Sequence, residues 1–393
     1  MPYNPFKVLM TCGVFEPGFR GGGMVRAVVQ TVDTVSDRVD LLMVTRDRDL
    51  GARAAYPGLS GRWVARRGAR VFYLPIASPR QWLRLWSRLR RTQFDLLYAN
   101  SLWEPRFSVL PIVAARLGLI RARKVLLSPH GELSPGALAL KNRKKRLFLA
   151  LWGPLLRGMR VTWHAVSDRE ADEIRAVCPW ADVVVNPYQV PLPREPLPPR
   201  RADAGPVSLV FIGRISPKKN LDLVLDALAR VSARVRFDIY GPCEDADYWA
   251  RCQVLIRRLP GNVAVAYRGE VAPDAVRETF ARYDAFVFPT LGENFGYVIA
   301  ESLSASCPVL CSGETPWNPV LAGGGGLVLD TPTAADLAKE LERLAGTSPE
   351  ERFAARQRAG ETYRLWRDEL SNENLLDRVR EATWTVPGGT NPA

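Results

Sequence analysis

Several signatures are missing from this 393-residue chain, and each absence closes a class of function. Gly-Lys never occurs, so no P-loop can form, and no G-x-S-x-G turn is present to raise a hydrolase serine. No apolar run approaches the ~18 residues of a membrane-spanning helix. The start, MPYNPFKVLM, lacks a basic region followed by an apolar segment and a cleavage site, so no secretory leader is expected. Cys12, Cys178, Cys243, Cys252, Cys307 and Cys311 include no C-x-x-C pair. They are expected to be free thiols in a reducing cytoplasm.

What is present is a soluble globular composition, 47% hydrophobic and 24% charged, in a chain long enough for two domains. The formal net charge of +13 is unevenly spread. Residues 1–200 hold 32 Lys+Arg against 15 Asp+Glu, and the remaining 22 and 26 lie after them. A basic first half implies anionic partners: nucleic acid, acidic lipid or a phosphorylated substrate. No recognised nucleic-acid module accompanies it, and no nucleic-acid partner is expected.

Apolar runs alternating with helical stretches indicate an α/β chain with parallel sheets covered on both faces. Phe6–Thr11 reads as the first strand. A loop with five glycines follows, GVFEPGFRGGG, and then a helix from Met24. Its spacing is not that of the dinucleotide fingerprint, but such a loop can approach a phosphate closely. Further strands are expected at Asp40–Thr45, Arg70–Leu74, Phe94–Asn100, Lys124–Ser128 and Val161–Ser167. The second half repeats the pattern at Ser208–Ile212, Val235–Tyr240, Val263–Tyr267, Ala285–Phe288, Pro308–Cys311 and Leu327–Asp330. The proline-rich stretch at 191–206 reads as a linker. Two segments pair arginine or lysine with exposed-looking apolar residues. Between Arg80 and Arg91 the residues Trp82, Leu85, Trp86 and Leu89 share one helical face, and KNRKKRLFLALW occupies 141–152. Each fits either a helix lying on an anionic membrane surface or one packed on its own domain.

The most informative stretch is FPTLGENFGYVIAE at 288–301. A strand, a glycine-bearing turn and a helix start bring backbone N–H groups and a positive dipole end to one place, which suits a phosphate. Glu293 and Glu301 beside it could hold the hydroxyl groups of a nucleotide sugar. Upstream, Arg214, Lys218 and Lys219 enter a helix beginning near Asn220, again a phosphate-suited arrangement.

The ordered set of motifs resembles the retaining glycosyltransferases of family 4. FIGRISPKKNLDLVLDAL at 211–228 is similar to their first donor-side signature, and GENFGYVIAESLSASCPVLCS at 292–312 to their E-x7-E element. SPHGELSPGAL at 128–138 and GETPWNP at 313–319 are similar to segments of the bacterial polysaccharide-assembly branch. The resemblance implies a GT-B fold: two facing Rossmann-like, doubly wound parallel-sheet domains with an interdomain cleft. An acceptor-binding domain would span 1–190 and a nucleotide-sugar domain 207–360. C-terminal helices at 361–385 would cross back onto the first domain, before a frayed tail at 386–393.

The same resemblance implies roles. Arg214 and Lys219 would neutralise the donor diphosphate, with Gly22, Gly23 and Gly213 allowing close backbone approach. Glu301 would hold the ribose and Glu293 the sugar, while Asn294, Phe295 and Gly296 add backbone hydrogen bonds. Gly269 and Val271 would meet the base. His130 would sit at the reacting centre, with Asn100, Gly131 and Glu132 on the acceptor side. No metal and no cofactor are expected; a UDP- or GDP-linked sugar is the co-substrate. The acceptor would be a glycan or a polyprenyl-diphosphate-linked glycan, in exopolysaccharide, capsule or O-antigen synthesis. Asp47-Arg-Asp49 and Asp245-Ala-Asp247 match the metal-binding D-x-D pattern of the other major glycosyltransferase fold, but neither sits where that fold needs it. Two departures from the family pattern are Asn220, where glycine is usual, and Asn186-Pro187-Tyr188, where Asn-Gly is common.

Overall fold

Strand β1 (Phe6–Cys12) is buried along nearly its whole length. Leu9 points into one core cluster, and Phe6, Val8, Met10 and Cys12 point into another on the opposite face. That alternation is the period of a strand with helices on both sides. In the computed structural model, which describes residues 5–139, 142–201, 205–370 and 373–384, the chain divides into two units. One comprises Met1–Val190 with Ser371–Ala393, the other Pro191–Leu370. The expected frayed tail at 386–393 and Lys141 of the basic run lie outside the described residues.

The first unit adds β2 (Val39–Arg46), β3 (Trp63–Arg66), β4 (Ala69–Leu74), β5 (Gln93–Asn100), β6 (Arg121–Ser128), β7 (Thr162–Ala165) and β8 (Asp182–Val185). Their order is β3-β4-β2-β1-β5-β6-β7-β8, parallel except for β3 against β4. The helices Pro79–Leu89 and Asn142–Gly158 contribute to the core cluster on one face. The cluster on the other face includes Val28 and Val32 of the helix Gly23–Thr34, and Leu375, Leu376 and Val379 of the helix Leu375–Trp384.

Helix Pro79–Leu89 resolves one ambiguity left by the sequence. Trp82 and Trp86 pack against the core rather than outward. The Trp82 indole N–H donates to the Ile76 carbonyl at 3.2 Å. Arg88 lies over the Trp63 ring at 4.7 Å, so part of the basic face is occupied within the unit.

The second unit is a six-stranded, all-parallel sheet. Its strands are β9 (Val207–Ile212), β10 (Val235–Tyr240), β11 (Val263–Tyr267), β12 (Ala285–Phe288), β13 (Val309–Ser312) and β14 (Gly326–Leu329). They run in the order β11-β10-β9-β12-β13-β14. The proline-rich stretch from 191 runs along this unit through backbone groups that the prolines leave free to accept. The Tyr363 hydroxyl donates to Pro193 O at 2.6 Å, and the Ser306 hydroxyl donates to Leu197 O at 2.6 Å.

In each sheet the first strand has its successor on one side and a later strand on the other: β1 between β2 and β5, β9 between β10 and β12. Such reversals open a crevice at the carboxyl ends of the strands, where open α/β sheets bind ligands. Every candidate site residue named above except Glu301 lies on loops or element ends at those carboxyl edges.

Candidate active site

At the β9–β12 reversal, the loops after the two strands are stitched together by backbone. Lys218 O accepts from Leu291 N–H at 2.8 Å and from the Thr290 hydroxyl at 3.1 Å. Asn220 holds φ 57, a left-handed conformation that asparagine tolerates and glycine adopts freely. Its amide does not cap the helix Leu221–Leu228; it donates to Pro289 O at 3.1 Å, tying the two loops again.

This stitching brings Lys219 and Glu293 into a buried ion pair, with the Lys219 ammonium 5.1 Å from the Phe288 ring centre. Glu293 N–H donates to Glu314 O at 2.9 Å, so the loop after β13 backs the site. From that same loop the Trp317 indole donates to Phe295 O. Gly296, at φ 80, then starts the helix Tyr297–Ser304, and a Cβ there would press on Trp317 at 3.2 Å. Asn294 and Phe295 are half-buried in this turn, and Glu301 is buried within the helix. Arg214 does not join Lys219: it pairs with Glu244 at 2.7 Å, with both side chains partly exposed.

Three strands in this unit end in glycines. Gly213 N–H donates to Tyr240 O at 3.0 Å, and Gly241 N–H to Gly269 O at 2.9 Å. A Cβ on Gly241 would lie 1.9 Å from Gly213 O, so only a bare backbone fits there. The result is a rim at the ends of β9, β10 and β11 where three glycines leave backbone bare, with half-buried Val271 beyond it.

In the first unit, Asn100 closes β5 and donates to Thr11 O at 3.2 Å, while its amide oxygen faces His130 Nε2 at 3.0 Å. The second ring nitrogen, Nδ1, meets the Tyr188 hydroxyl. Burial, with His164 nearby, pushes His130 down to about 3, so the ring is neutral. His164 is pushed down to about 4 by burial. It donates from Nε2 to Asn186 O at 2.8 Å and accepts from the Ser128 hydroxyl at 2.6 Å. Gly131 N–H donates to the buried Glu170 at 2.6 Å. Glu132 accepts from the Ser101 hydroxyl at 2.7 Å and from Leu102 N–H, and burial raises it to about 7. Gly22, at φ 64, and Gly23 open the helix Gly23–Thr34. The glycine loop before them is held by Asp49, which accepts from Phe19 N–H at 3.1 Å.

The predicted residues thus fall into two groups. Gly22, Gly23, Asn100, His130, Gly131 and Glu132 belong to the first unit, and the remainder to the second. Both D-x-D pairs do local structural work: Asp47 accepts from the Ser60 hydroxyl at 2.7 Å and Asp245 caps the helix Ala246–Arg257. Among the described residues no three His, Cys, Asp or Glu side chains gather as a metal site would require. Sequence reasoning missed Glu244 and Glu170, which no motif marks, and gave no role to Thr290 or Tyr188, although both lie in segments it quoted.

Residues 21–194 match the family described as Glycosyltransferase Family 4, and residues 206–347 match Glycosyl transferases group 1. The chain belongs to glycosyltransferase family 4. Solved structures similar to this family 4 chain include Anabaena Alr3699/HepE in complex with UDP and glucose. That likeness is 17% identical with a TM-score of 0.68, covering 96% of this chain and 99% of that one. WaaG, a glycosyltransferase involved in lipopolysaccharide biosynthesis, is 15% identical with a TM-score of 0.61, covering 97% and 100%. The fold is therefore GT-B. A D-inositol 3-phosphate glycosyltransferase of Rhodococcus erythropolis is 29% identical over 202 residues, 49% of this chain and 45% of that protein. An O-antigen chain mannosyltransferase B of Escherichia coli is 32% identical over 127 residues, 31% and 32% of the two chains. The chain spans less than half the length of these curated relatives.

Proposed function

We propose that this family 4 chain moves a sugar from a nucleotide-sugar donor to a glycan or lipid-linked glycan, with retention of configuration and without a metal ion. The observation that carries this reading is Lys219, a buried cation at the β9–β12 reversal, on the loop into the helix Leu221–Leu228 and paired with Glu293 on the loop into the helix Tyr297–Ser304. As the bond between the anomeric carbon and the diphosphate breaks, positive charge grows on the sugar and negative charge on the leaving oxygen. Lys219, Arg214 and the helix N-terminus would stabilise that oxygen more in the transition state than in the ground state. The acceptor hydroxyl would attack from the leaving-group side, and its proton would pass to the departing diphosphate oxygen. Glu293 then orients the sugar and forms no bond to it. Glu301 would hold the ribose, Gly213 would let the donor approach the backbone closely, and Gly269 and Val271 would meet the base. The second unit would bind the donor, either UDP- or GDP-linked, and the first unit the acceptor, with His130 and Asn100 on the acceptor side.

The pathway we infer is exopolysaccharide, capsule or O-antigen assembly, supported by the HGELSP and TPW segments and by the partial match to an O-antigen enzyme. Among the described residues no helix is long and apolar enough to cross a membrane. Helix Asn142–Gly158 instead exposes Leu147 (65%) and Leu151 (74%) one turn apart, beside exposed Arg143, Lys144 and Arg146. That face suits an anionic bilayer surface, where a polyprenyl-linked acceptor would reside. The deciding experiment is a thermal-shift screen of UDP-, GDP-, ADP- and dTDP-sugars, followed by turnover with polyprenyl-diphosphate-linked acceptors. Stabilisation followed by transfer is the expected result. Stabilisation with no turnover on any acceptor would instead make the chain a non-catalytic nucleotide-sugar binder of the same fold.

A further inference from the structure

We propose that Tyr188 is the positioning residue for His130, fixing its ring plane through a hydroxyl hydrogen bond to Nδ1. This rests on the assignment of His130 to the acceptor side of the site. The geometry determines the direction of each bond. The Asn100 amide nitrogen is committed to Thr11 O, so its oxygen must face His130. An amide oxygen only accepts, and the proton of the neutral ring therefore sits on Nε2. Nδ1 is left as an acceptor, and the Tyr188 hydroxyl is the donor that meets it.

Tyr188 is itself held. Its ring is buried between two imidazoles, 5.9 Å from that of His130 and 6.1 Å from that of His164. His164 is locked by Ser128 and by the carbonyl of Asn186, two residues before Tyr188. Arg378, on the helix Leu375–Trp384, donates to the Asn186 side chain at 3.3 Å. The anchoring thus runs from the C-terminal helix through Asn186 to the segment that carries Tyr188. His130 also needs an anchor, because it holds φ 51, a conformation uncommon outside glycine. A ring tied at both nitrogens keeps that backbone turn in place. A neutral imidazole with both nitrogens engaged is not a proton shuttle. What it offers a ligand is a fixed shape, and Tyr188 sets that shape. The Asn-Pro-Tyr departure from Asn-Gly is what brings a phenol here.

The chain has only two histidines, so 15N-histidine labelling yields two imidazole patterns, and His130→Asn assigns them. In the wild-type protein His130 is expected as the Nε2–H tautomer. In Tyr188→Phe the Nδ1 resonance should move as it loses its donor while the Nε2–H tautomer held by Asn100 persists, with the His164 pattern retained. UDP affinity should stay within about twofold, and kcat for transfer should fall between about 10- and 100-fold, the scale of a misplaced active-site group. Three results would overturn the proposal: a wild-type proton on Nδ1, an unchanged His130 pattern in Tyr188→Phe, or a changed pattern with unchanged kcat. If Tyr188→Phe does not fold, the wild-type tautomer decides. If the wild-type protein transfers no sugar, the functional reading fails while the ring patterns still judge Tyr188.

Discussion

Replacing Glu293 by glutamine removes one charge from a buried pair while keeping the side chain's size and its contact with Thr290. The Lys219 and Glu293 side chains are only 9% and 13% exposed, so solvent screens them weakly. At an effective dielectric of about 20, such a pair gains about 4 kcal/mol in Coulomb energy before dehydration is counted. Stripping one partner from a buried pair costs about 3–5 kcal/mol, because the other charge stays behind. The first expectation is that Glu293→Gln lowers the unfolding free energy of the second unit by about 2–4 kcal/mol. The second follows from competition. A diphosphate entering the wild-type site must take Lys219 from Glu293, whereas in the variant the cation is already released. Nucleotide binding should therefore be retained or tightened by up to about tenfold, while sugar transfer drops sharply. Calorimetric titration of both proteins with UDP and GDP, beside urea unfolding, measures each effect. A folded Glu293→Gln protein binding both nucleotides at least about tenfold more weakly would refute the reasoning, since Glu293 would then grip the nucleotide itself. Glu301→Ala is the contrast: with Glu301 proposed to hold the ribose, its loss should weaken nucleotide binding by about tenfold or more.

Gly241→Ala drives a Cβ to 1.9 Å from Gly213 O at a φ of 136, and should cost the second unit about 3 kcal/mol or more in urea unfolding. Stability of the first unit should fall on acidification. From pH 6.5 to 4.5 the unfolded chain gains a proton on each of two histidines that stay neutral when folded. Glu132, raised to about 7 in the folded state, holds one proton that the unfolded chain lacks. The net difference of one proton gives a loss of about 1.4 kcal/mol per pH unit, and denaturant titrations across this window should find it. Leu147→Asp with Leu151→Asp should weaken flotation with anionic vesicles by 100-fold or more, on the basis of about 1.5–3 kcal/mol per buried leucine. Equal flotation of both proteins would remove the membrane claim and leave the transfer claim untouched.

The fold was legible where burial on both faces makes strands continuous and glycine ends them. Val235–Tyr240, Val263–Tyr267 and Ala285–Phe288 can be read to the residue. β3 and β8 were not seen, because edge strands of four residues such as Trp63–Arg66, partly exposed along their length, are too short to show an alternating run. For the site, Lys219 and Glu293 were each named, yet their pairing was not. They lie 74 positions apart, and only the adjacency of β9 and β12 joins them. Sheet order is a tertiary fact that local periodicity does not encode. Tyr188 was hidden for the same reason, 58 positions from the ring it holds. The tryptophans of Pro79–Leu89 show a related limit: helical spacing reveals an apolar face but not what covers it.

The helix Leu375–Trp384 gives the first unit a particular history during synthesis. Its Leu375, Leu376 and Val379 fill a core whose other members, from Phe6 to Leu126, leave the ribosome far earlier. The whole of Pro191–Leu370 is made in between. A nascent first unit therefore waits with one sheet face incompletely covered while the second unit is translated. Ser36 and Asn186 likewise wait for Asp377 and Arg378. The last helix closes a face that has stood open throughout translation, and a chain stopped before Leu375 would keep it open.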